Sequence, residues 1–338
     1  MSLHLPTVRA AAVQAAPVFL DTARSIDKLE TLVEQAANNG AELVVFGETF
    51  LPGFPTWTGV LPPIDQHDLH KRLFQEAIVV PGPETDRLGR IARQHDIVLS
   101  VGINERAEHT LGQLFNSNLI FDRNGQLVNH RRKIVATYHE RLTWSHGDAH
   151  DMKPVDLDGW NLGALICGEN TNTLARYSLL AQGERIHIST YPSTWPFDGS
   201  PDRDDYDLTE SIRIRSAAHC FEGKVFNIVA ATALDDDAVD AVANGDQQIE
   251  ARLRGSRTVS LILDPAGRVI AGPTTEPEEI IYATIDVADE IIAKKAQDIV
   301  GTYNRFDIFS VTVDQTRHVP LIVTMADAPV ATVEEVVL

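Results

Sequence analysis

The chain has 338 residues, 43% hydrophobic and 23% charged, and its 29 Lys and Arg against 48 Asp and Glu give a formal net charge of −19. This hydrophobic fraction supports a packed core, while the negative charge disfavours binding to nucleic acid or to an anionic membrane. No segment reaches the roughly 20 continuous apolar residues of a membrane-spanning helix. The first residues lack the features of a secretory signal, and 2 cysteines cannot form a disulfide scaffold. We therefore expect a cytoplasmic enzyme that acts on a small molecule.

The first half of the sequence alternates short apolar runs with amphipathic segments. After Asp21, apolar residues recur at helical spacing, and Asp21 and Gly40 are typical of a helix N-cap and of the glycine that ends a helix. Asn124-Gly125 is a strong signal for a hairpin turn. The predicted elements, in chain order, are strand Val8–Ala15, helix Asp21–Asn39, strand Glu42–Phe46, helix Glu84–His95, strand Ile97–Ile103, and a hairpin of Leu114–Phe121 with Leu127–Arg132.

The second half repeats this alternation. Its predicted elements are strand Leu162–Ile166, helix Leu174–Gln182, strand Arg185–Thr190, helix Leu208–Phe221, strand Val225–Ala231, a hairpin of Thr258–Leu263 with Arg268–Ala271, strand Ile280–Ile285, and helix Val287–Gln297. We interpret Leu234–Asp246, with its run of Asp residues, as a solvated loop. This order predicts a layered α/β architecture with mixed sheets. We expect a single domain over residues 1–310 and a Val-rich tail over 311–338.

Three ionisable residues share an unusual position directly after an apolar or strand-like run: Glu48, Lys133 and Cys167. Ligand sites of α/β sheets lie outside the carboxyl ends of strands, so these side chains can converge on one pocket. Taken singly, a Glu or Lys at a strand end is usually solvated, and a Cys in a strand is usually a small core hydrophobe. The surroundings favour function, because Cys167 lies at a predicted strand-to-helix junction where backbone N–H groups can face a reacting atom.

The strings around these residues resemble the nitrilase superfamily, whose Glu–Lys–Cys triad comes in this chain order, and most closely its true nitrilase branch. The string Cys167-Gly-Glu-Asn170, followed by Leu174-Ala-Arg176, carries the likeness to the branch. The resemblance covers most of the chain, although Gly47 and Thr173 stand where the branch usually has proline. The other matching strings are Thr137–Asp148, His187–Pro192, Gly255-Ser256 with Asp264–Gly267 and Ala271–Pro273, and Tyr303–Asp307.

The resemblance implies a four-layer α-β-β-α sandwich, in which helices flank two mixed β-sheets, and a carbon–nitrogen hydrolase that needs no metal and no organic cofactor. It implies that the Cys167 thiol, its pKa lowered by the positive field of Lys133, attacks a nitrile while Glu48 moves protons. Thioimidate formation, attack by water, loss of ammonia and thioester hydrolysis then give the acid. Glu140 matches a second glutamate that orients Lys133 or the attacking water. A surface salt bridge with Arg141 is the competing interpretation.

Aromatic residues near the strand ends indicate walls for a substrate. We expect Trp57, Tyr191 and Trp195 to line the pocket and Gly168 to leave the approach to the sulfur open. The alternative for the aromatic residues is ordinary core packing or a dimer contact. Such walls suit an aryl, arylalkyl or aliphatic nitrile.

The tail is the candidate element for assembly. The resemblance implies a two-fold homodimer that can extend into larger spirals. We expect the apolar residues of the tail to lie between subunits, because a monomer would expose them or fold the tail back on itself. The alternative is that the segment completes a sheet of its own subunit. These residues are Val311, Val313, Val319, Leu321, Ile322, Val323, Val330 and Val333.

Other functions remain as alternatives. The candidate ligands of a zinc hydrolase are His139, His146, Asp148, His150 and Asp151, but Gly147 and Asp148 argue against a helix between His146 and His150. For a Cys–His pair, no histidine adjoins an apolar strand end except His187, which lies inside a predicted strand. We expect Cys220 to be a buried structural thiol. A non-enzymatic protein of this fold would not need all three strand-end residues. The closer alternatives are a nitrile or cyanide hydratase that stops at the amide, and an amidase of the same superfamily.

Overall fold

Two β-sheets packed face to face form the centre of the computed structural model, which describes residues 5–195 and 206–322. The first sheet contains β1 (Thr7–Gln14), β2 (Leu43–Phe46), β3 (Val98–Arg106), β4 (Leu114–Phe121), β5 (Leu127–Arg132) and β11 (Glu279–Asp286), in the order β11-β1-β2-β3-β4-β5. The second contains β6 (Leu162–Ile166), β7 (Ile186–Tyr191), β8 (Phe226–Ala231), β9 (Leu261–Leu263) and β10 (Val269–Ala271), in the order β10-β9-β8-β7-β6. Both sheets are mixed, since β1, β2 and β3 run parallel, as do β6, β7 and β8, and the other pairs are antiparallel.

The helices are α1 (Thr22–Asn38), α2 (His67–Glu76), α3 (Pro83–Gln94), α4 (Thr173–Ala181), α5 (Leu208–Gly223), α6 (Asp236–Ala243), α7 (Gln247–Gly255) and α8 (Glu290–Ala296). Helices α1 and α3 cover the outer face of the first sheet, and α4 and α5 cover that of the second. Along β1, Ala10 and Ala12 face the second sheet, while Ala11 and Val13 pack with α1 and α3. Because side chains alternate across a strand, one strand serves two hydrophobic cores. Since α4 and α5 pack on the second sheet, the predicted four-layer α-β-β-α order is confirmed.

Most strands and helices lie where the sequence analysis predicted them. The prediction of a solvated loop at Leu234–Asp246 is wrong. The Asp run begins α6, and the Asp235 side chain accepts a hydrogen bond from the N–H of Ala238 at 2.9 Å. Aspartate is favoured at a helix N-terminus because it binds free N–H groups and the positive end of the helix dipole. Val239 and Val242 are buried. The structure also contains α2 and α7, which the sequence patterns did not predict. In the described ranges, no helix is long and apolar enough to span a membrane.

The sheets approach each other closely where the chain leaves β2 at Gly47. A Cβ on Gly47 would clash with the backbone N of Thr232 and lie 2.5 Å from the carbonyl carbon of Ala231. The backbone N–H groups of Glu48 and Thr232 both donate to the carbonyl oxygen of Tyr191, each at 3.1 Å. The absence of a side chain at Gly47 therefore lets the end of β2 reach the ends of β7 and β8, and it explains why proline is not found here.

Replacing Gly47 by Ala should separate these chain segments, because the added methyl group meets main-chain atoms that cannot rotate away. We expect Gly47→Ala to lower the free energy of unfolding by about 1–3 kcal/mol, measured by urea denaturation. The control is Gly255→Ala, where a Cβ meets no atom within 4 Å. Equal unfolding midpoints for the two variants would contradict the requirement for close contact at Gly47.

Candidate active site

The carboxyl ends of strands from both sheets bring the three predicted ionisable residues together. Glu48 follows β2, Lys133 follows β5, and Cys167 follows β6. Nζ of Lys133 donates to Oε1 of Glu48 at 2.7 Å. The sulfur of Cys167 and carboxylate oxygens of Glu48 and Glu140 lie within 4.8 Å of one another. None of these four residues is more than 4% exposed, so they form one enclosed cluster.

Glu140 binds the same ammonium group from a short 3₁₀ turn after β5. Its Oε2 accepts hydrogen bonds from Nζ of Lys133 and from the backbone N–H of Thr137, both at 2.7 Å. Arg141 instead donates to the carbonyl oxygen of Ala136 at 3.2 Å. Glu140 is fully buried, so the alternative of a surface salt bridge with Arg141 is wrong.

Asn116 is a member of the site that the sequence analysis missed. It lies buried in β4, and its Nδ2 donates to Oε1 of Glu48 at 2.6 Å. The main-chain carbonyl oxygen of Asn116 accepts from the backbone N–H of Lys133 at 2.8 Å. Asn116 thus fixes both partners of the ion pair. The available signal was the polar run Asn116-Ser117-Asn118 in the middle of a strand whose other residues are apolar.

Cys167 occupies a sharp turn from β6 into a 3₁₀ helix, with a φ of 49°. This left-handed conformation is uncommon for a residue with a side chain and is maintained only where the surroundings enforce it. Glu169 supplies part of that enforcement, since its carboxylate accepts from the N–H of Ile166 at 2.9 Å and from the N–H of Ile134 at 2.6 Å. Because Ile134 directly follows Lys133, Glu169 ties the turn at the thiol to the segment that carries the ammonium.

Burial dominates the protonation of the cluster. It raises the pKa of the Cys167 thiol well above its ordinary range, Glu48 adds to the effect, and Lys133 offsets only part of it. The expected lowering of this pKa is therefore wrong for the resting site. Burial also raises the pKa of Glu48 to about 7, although Lys133 opposes the shift. The pKa of Lys133, which burial alone would lower, is held well above its ordinary range by Glu140 and Glu48. The site can thus combine a neutral thiol with a carboxyl group that accepts protons near neutral pH.

Trp195 lies beside the cluster and forms part of an aromatic surface. Its ring centroid is 4.9 Å from that of His139 and 5.7 Å from that of Tyr206. Trp195 and Tyr206 are partly buried and pack against the hydrophobic residues that surround Cys167, among which Tyr191 is fully buried. This surface is the candidate wall for the apolar part of a ligand.

Trp57 and Gly168 have different surroundings. Trp57 is fully buried in a separate hydrophobic cluster with α6 and α7, and its ring meets Phe19 edge-on at 6.2 Å. A Cβ on Gly168 would lie 2.9 Å from Oγ1 of Thr137. The physical reason for glycine at this position is therefore its close approach to the segment that carries Glu140.

The ammonium of Lys133 lies between the two carboxylates, where a metal ion would bind them. Among the residues considered as zinc ligands, Asp148 accepts from the backbone N–H of His318 at 2.9 Å, and Nδ1 of His150 lies 3.1 Å from the carbonyl oxygen of Gln315. These two side chains thus hold the first part of the tail. Cys220 is buried in α5.

Comparison with known proteins identifies the family. The model of the carbon-nitrogen hydrolase family matches residues 9–295. A nitrilase from Paraburkholderia phymatum is 35% identical over 317 residues, which cover 93% of this chain and 89% of that protein. An aliphatic nitrilase from Rhodococcus rhodochrous is 33% identical over 317 residues, covering 93% and 85%. The crystal structure of a carbon-nitrogen hydrolase from Helicobacter pylori matches with a TM-score of 0.68 at 18% identity, covering 89% of this chain and 97% of that chain. The chain belongs to the carbon-nitrogen hydrolase family and is a hydrolase of its nitrilase branch.

Proposed function

We propose that this enzyme hydrolyses an organic nitrile to the carboxylic acid and ammonia, with Glu48, Lys133 and Cys167 as its catalytic triad. The observation that carries the proposal is the enclosed ion pair of Glu48 and Lys133 with the thiol alongside. A nitrile carbon requires a strong nucleophile, and a buried thiol becomes one when a neighbouring base removes its proton.

In the first half of the reaction, Glu48 takes the thiol proton as Sγ of Cys167 bonds to the nitrile carbon. One electron pair of the C≡N bond moves to nitrogen, which takes the proton from Glu48 and gives a thioimidate. Lys133 stabilises the charge that develops on nitrogen. The N–H of Gly168 can assist, since it lies in the first turn of the 3₁₀ helix, where it has no acceptor within the helix.

In the second half, Glu48 activates water, which adds to the thioimidate carbon. Transfer of a proton to nitrogen breaks the C–N bond, and ammonia leaves a thioester on Cys167. A second water then hydrolyses the thioester to the carboxylic acid and restores the thiol. Glu140 keeps Lys133 protonated and oriented through both halves, because its 2.7 Å contact with Nζ favours the charged amine.

The substrate class that we propose is an aryl, arylalkyl or aliphatic nitrile, since the aromatic surface formed by His139, Trp195 and Tyr206 offers an apolar wall. The alternatives share the same intermediates. A hydratase breaks the C–S bond after water has added and releases the amide, and an amidase begins from the amide. The ratio of acid to amide formed from a nitrile therefore separates a nitrilase from a hydratase, whereas an amidase would release ammonia only from the amide.

We further propose a cytoplasmic homodimer or larger spiral assembly, with a hydrolase domain over residues 1–310. Exposed apolar side chains on α4 and α5, Leu174 and Ile214, support a contact between subunits. Within the tail, Val313 packs against a hydrophobic cluster of its own subunit, whereas Leu321 and Ile322 are exposed. The tail residues Val323, Val330 and Val333 lie outside the described residues.

The direct test is a panel of aryl, arylalkyl and aliphatic nitriles, scored for ammonia, acid and amide. We expect acid and ammonia as the main products. Cys167→Ala should abolish turnover, because it removes the nucleophile. The matched control is Cys220→Ala, at the other buried cysteine, and it should retain most of the activity. Turnover by the Cys167 variant, or amide as the main product of the wild type, would contradict the proposal.

The pH dependence tests the role of Glu48. A base with a pKa of about 7 is lost by protonation as the pH falls, so kcat/KM should decrease below that value by roughly tenfold for each pH unit. The measurement is the profile of kcat/KM with a neutral nitrile, whose own charge does not change. A profile that stays level to two pH units below the pKa would exclude Glu48 as the base in the free enzyme.

Trp195 tests the proposed wall of the pocket. Trp195→Ala removes an apolar surface beside the cluster, so kcat/KM should fall more for aryl nitriles than for small aliphatic nitriles. Trp195→Phe keeps an aromatic ring and should preserve the original ranking. If both variants rank the nitriles as the wild type does, Trp195 has only a structural role.

A further inference from the structure

A continuous set of buried hydrogen bonds lies behind the turn at Cys167 and begins at Asn170. Nδ2 of Asn170 donates to the carbonyl oxygens of Leu165 at 3.2 Å and Cys167 at 3.1 Å. Its Oδ1 accepts from Oγ of Ser189 at 2.9 Å and lies 3.0 Å from Nε2 of His187. The amide orientation is fixed, because the reversed amide would direct its oxygen at two carbonyl oxygens.

The set continues from His187 to a carboxylate that is enclosed on all sides by the fold. Nδ1 of His187 lies 2.6 Å from Oε1 of Glu184, and Nε2 of His219 lies 2.8 Å from Oε2 of the same group. All three residues are at most 2% exposed. A Cβ on Gly163 would overlap Oε1 of Glu184, so the carboxylate occupies the space that this glycine leaves open in β6. The second sheet is thus shaped to hold Glu184 against both imidazole rings.

His187 lies between two hydrogen-bond acceptors. Burial alone would raise the pKa of Glu184, but His187 and His219 lower it to about 2, so this carboxylate is ionised. The other neighbour is Oδ1 of Asn170, which also accepts. Neutral imidazole carries only one N–H and cannot donate to both. His219 differs, because burial and the neighbouring His187 lower its pKa to about 4. A single N–H on Nε2, directed at Glu184, accounts for its hydrogen bond.

We propose that His187 is an imidazolium cation in the resting enzyme and a positioning residue for Cys167, acting through the side chain of Asn170. The charge of His187 strengthens its hydrogen bond to Oδ1 of Asn170 and so polarises the amide group, which then binds the carbonyl oxygens of Leu165 and Cys167 more strongly. The carboxylate of Glu184 balances this charge, and neutral His219 donates a hydrogen bond to the second oxygen of Glu184.

The hydrogen bond from Asn170 to the carbonyl oxygen of Cys167 has a direct consequence for the reaction. This part of the inference rests on the proposed function. The peptide between Cys167 and Gly168 is planar and trans, so its C=O and N–H groups point in opposite directions. A carbonyl oxygen held by Asn170 therefore fixes the direction of the Gly168 N–H, which we propose as a donor to the developing negative charge. It also helps to maintain the left-handed φ of 49° at Cys167.

The protonation of His187 can be measured without any turnover. We would label the protein with ¹⁵N-histidine and assign the buried rings with His187→Gln and His219→Gln. At neutral pH, both ring nitrogens of His187 should carry protons, because each faces an acceptor. His219 should show one protonated and one bare nitrogen. A bare nitrogen in His187 would overturn the proposal. Stoichiometric metal bound by Glu184, His187 and His219 would also overturn it, because a metal replaces a ring proton.

Kinetics test the positioning role separately. His187→Leu cannot donate to Asn170 and should lower kcat by roughly 100-fold with little change in KM. His187→Gln retains an N–H donor but not the charge, so it should recover only part of that loss. A merely structural role predicts that both variants lose kcat and unfolding midpoint in parallel, and that result would overturn the positioning role. If the wild type hydrolysed no nitrile, the proposed function would fail while the NMR result on His187 would stand by itself.

Discussion

The enclosed ammonium of Lys133 sets the requirements that the rest of the site meets. Removing a charge from water costs several kcal/mol unless close partners compensate it, and here two carboxylates lie 2.7 Å from Nζ. The carboxylates need donors of their own, which Asn116 and the N–H of Thr137 provide. The two carboxylates of Glu48 and Glu140 around the single ammonium of Lys133 leave an excess of negative charge beside the thiol. Burial, with this charge in addition, keeps Cys167 protonated in the resting site.

Main-chain atoms connect the parts of the cluster that come from different sheets. The carbonyl oxygen of Tyr191 accepts from the N–H of Glu48, which joins the end of β2 to the end of β7. Glu169 makes a corresponding connection between the turn at Cys167 and the segment after Lys133. Backbone groups have few conformational choices once their strands are in register. The relative placement of the Glu48 carboxylate, the Lys133 ammonium and the Cys167 thiol therefore follows from the packing of the two sheets.

The sequence predicted the features that a linear pattern contains. Glu48, Lys133 and Cys167 each follow an apolar or strand-like run, and the strands follow from the spacing of apolar residues. The four-layer order came from the resemblance to the nitrilase superfamily. The role of Asn116 depends on the register between neighbouring strands. The pKa of Cys167 depends on burial and on the Glu48 carboxylate, which is distant in the sequence but close in space. Neither could be derived from spacing. The helix α6 was missed because its short apolar face follows a run of acidic residues that is also typical of loops.

The dense packing at the end of β2 has a consequence for how the substrate range of this enzyme can diverge. The contacts of Gly47 and Gly168 are with the backbone of β8 and with Thr137, so adding even a methyl group there disturbs the frame of the site. The surface around Trp195 is built from side chains that are only partly buried. Variation of the accepted nitrile, whether natural or engineered, should therefore accumulate on the Trp195 side, while the opposite side evolves slowly under steric constraint.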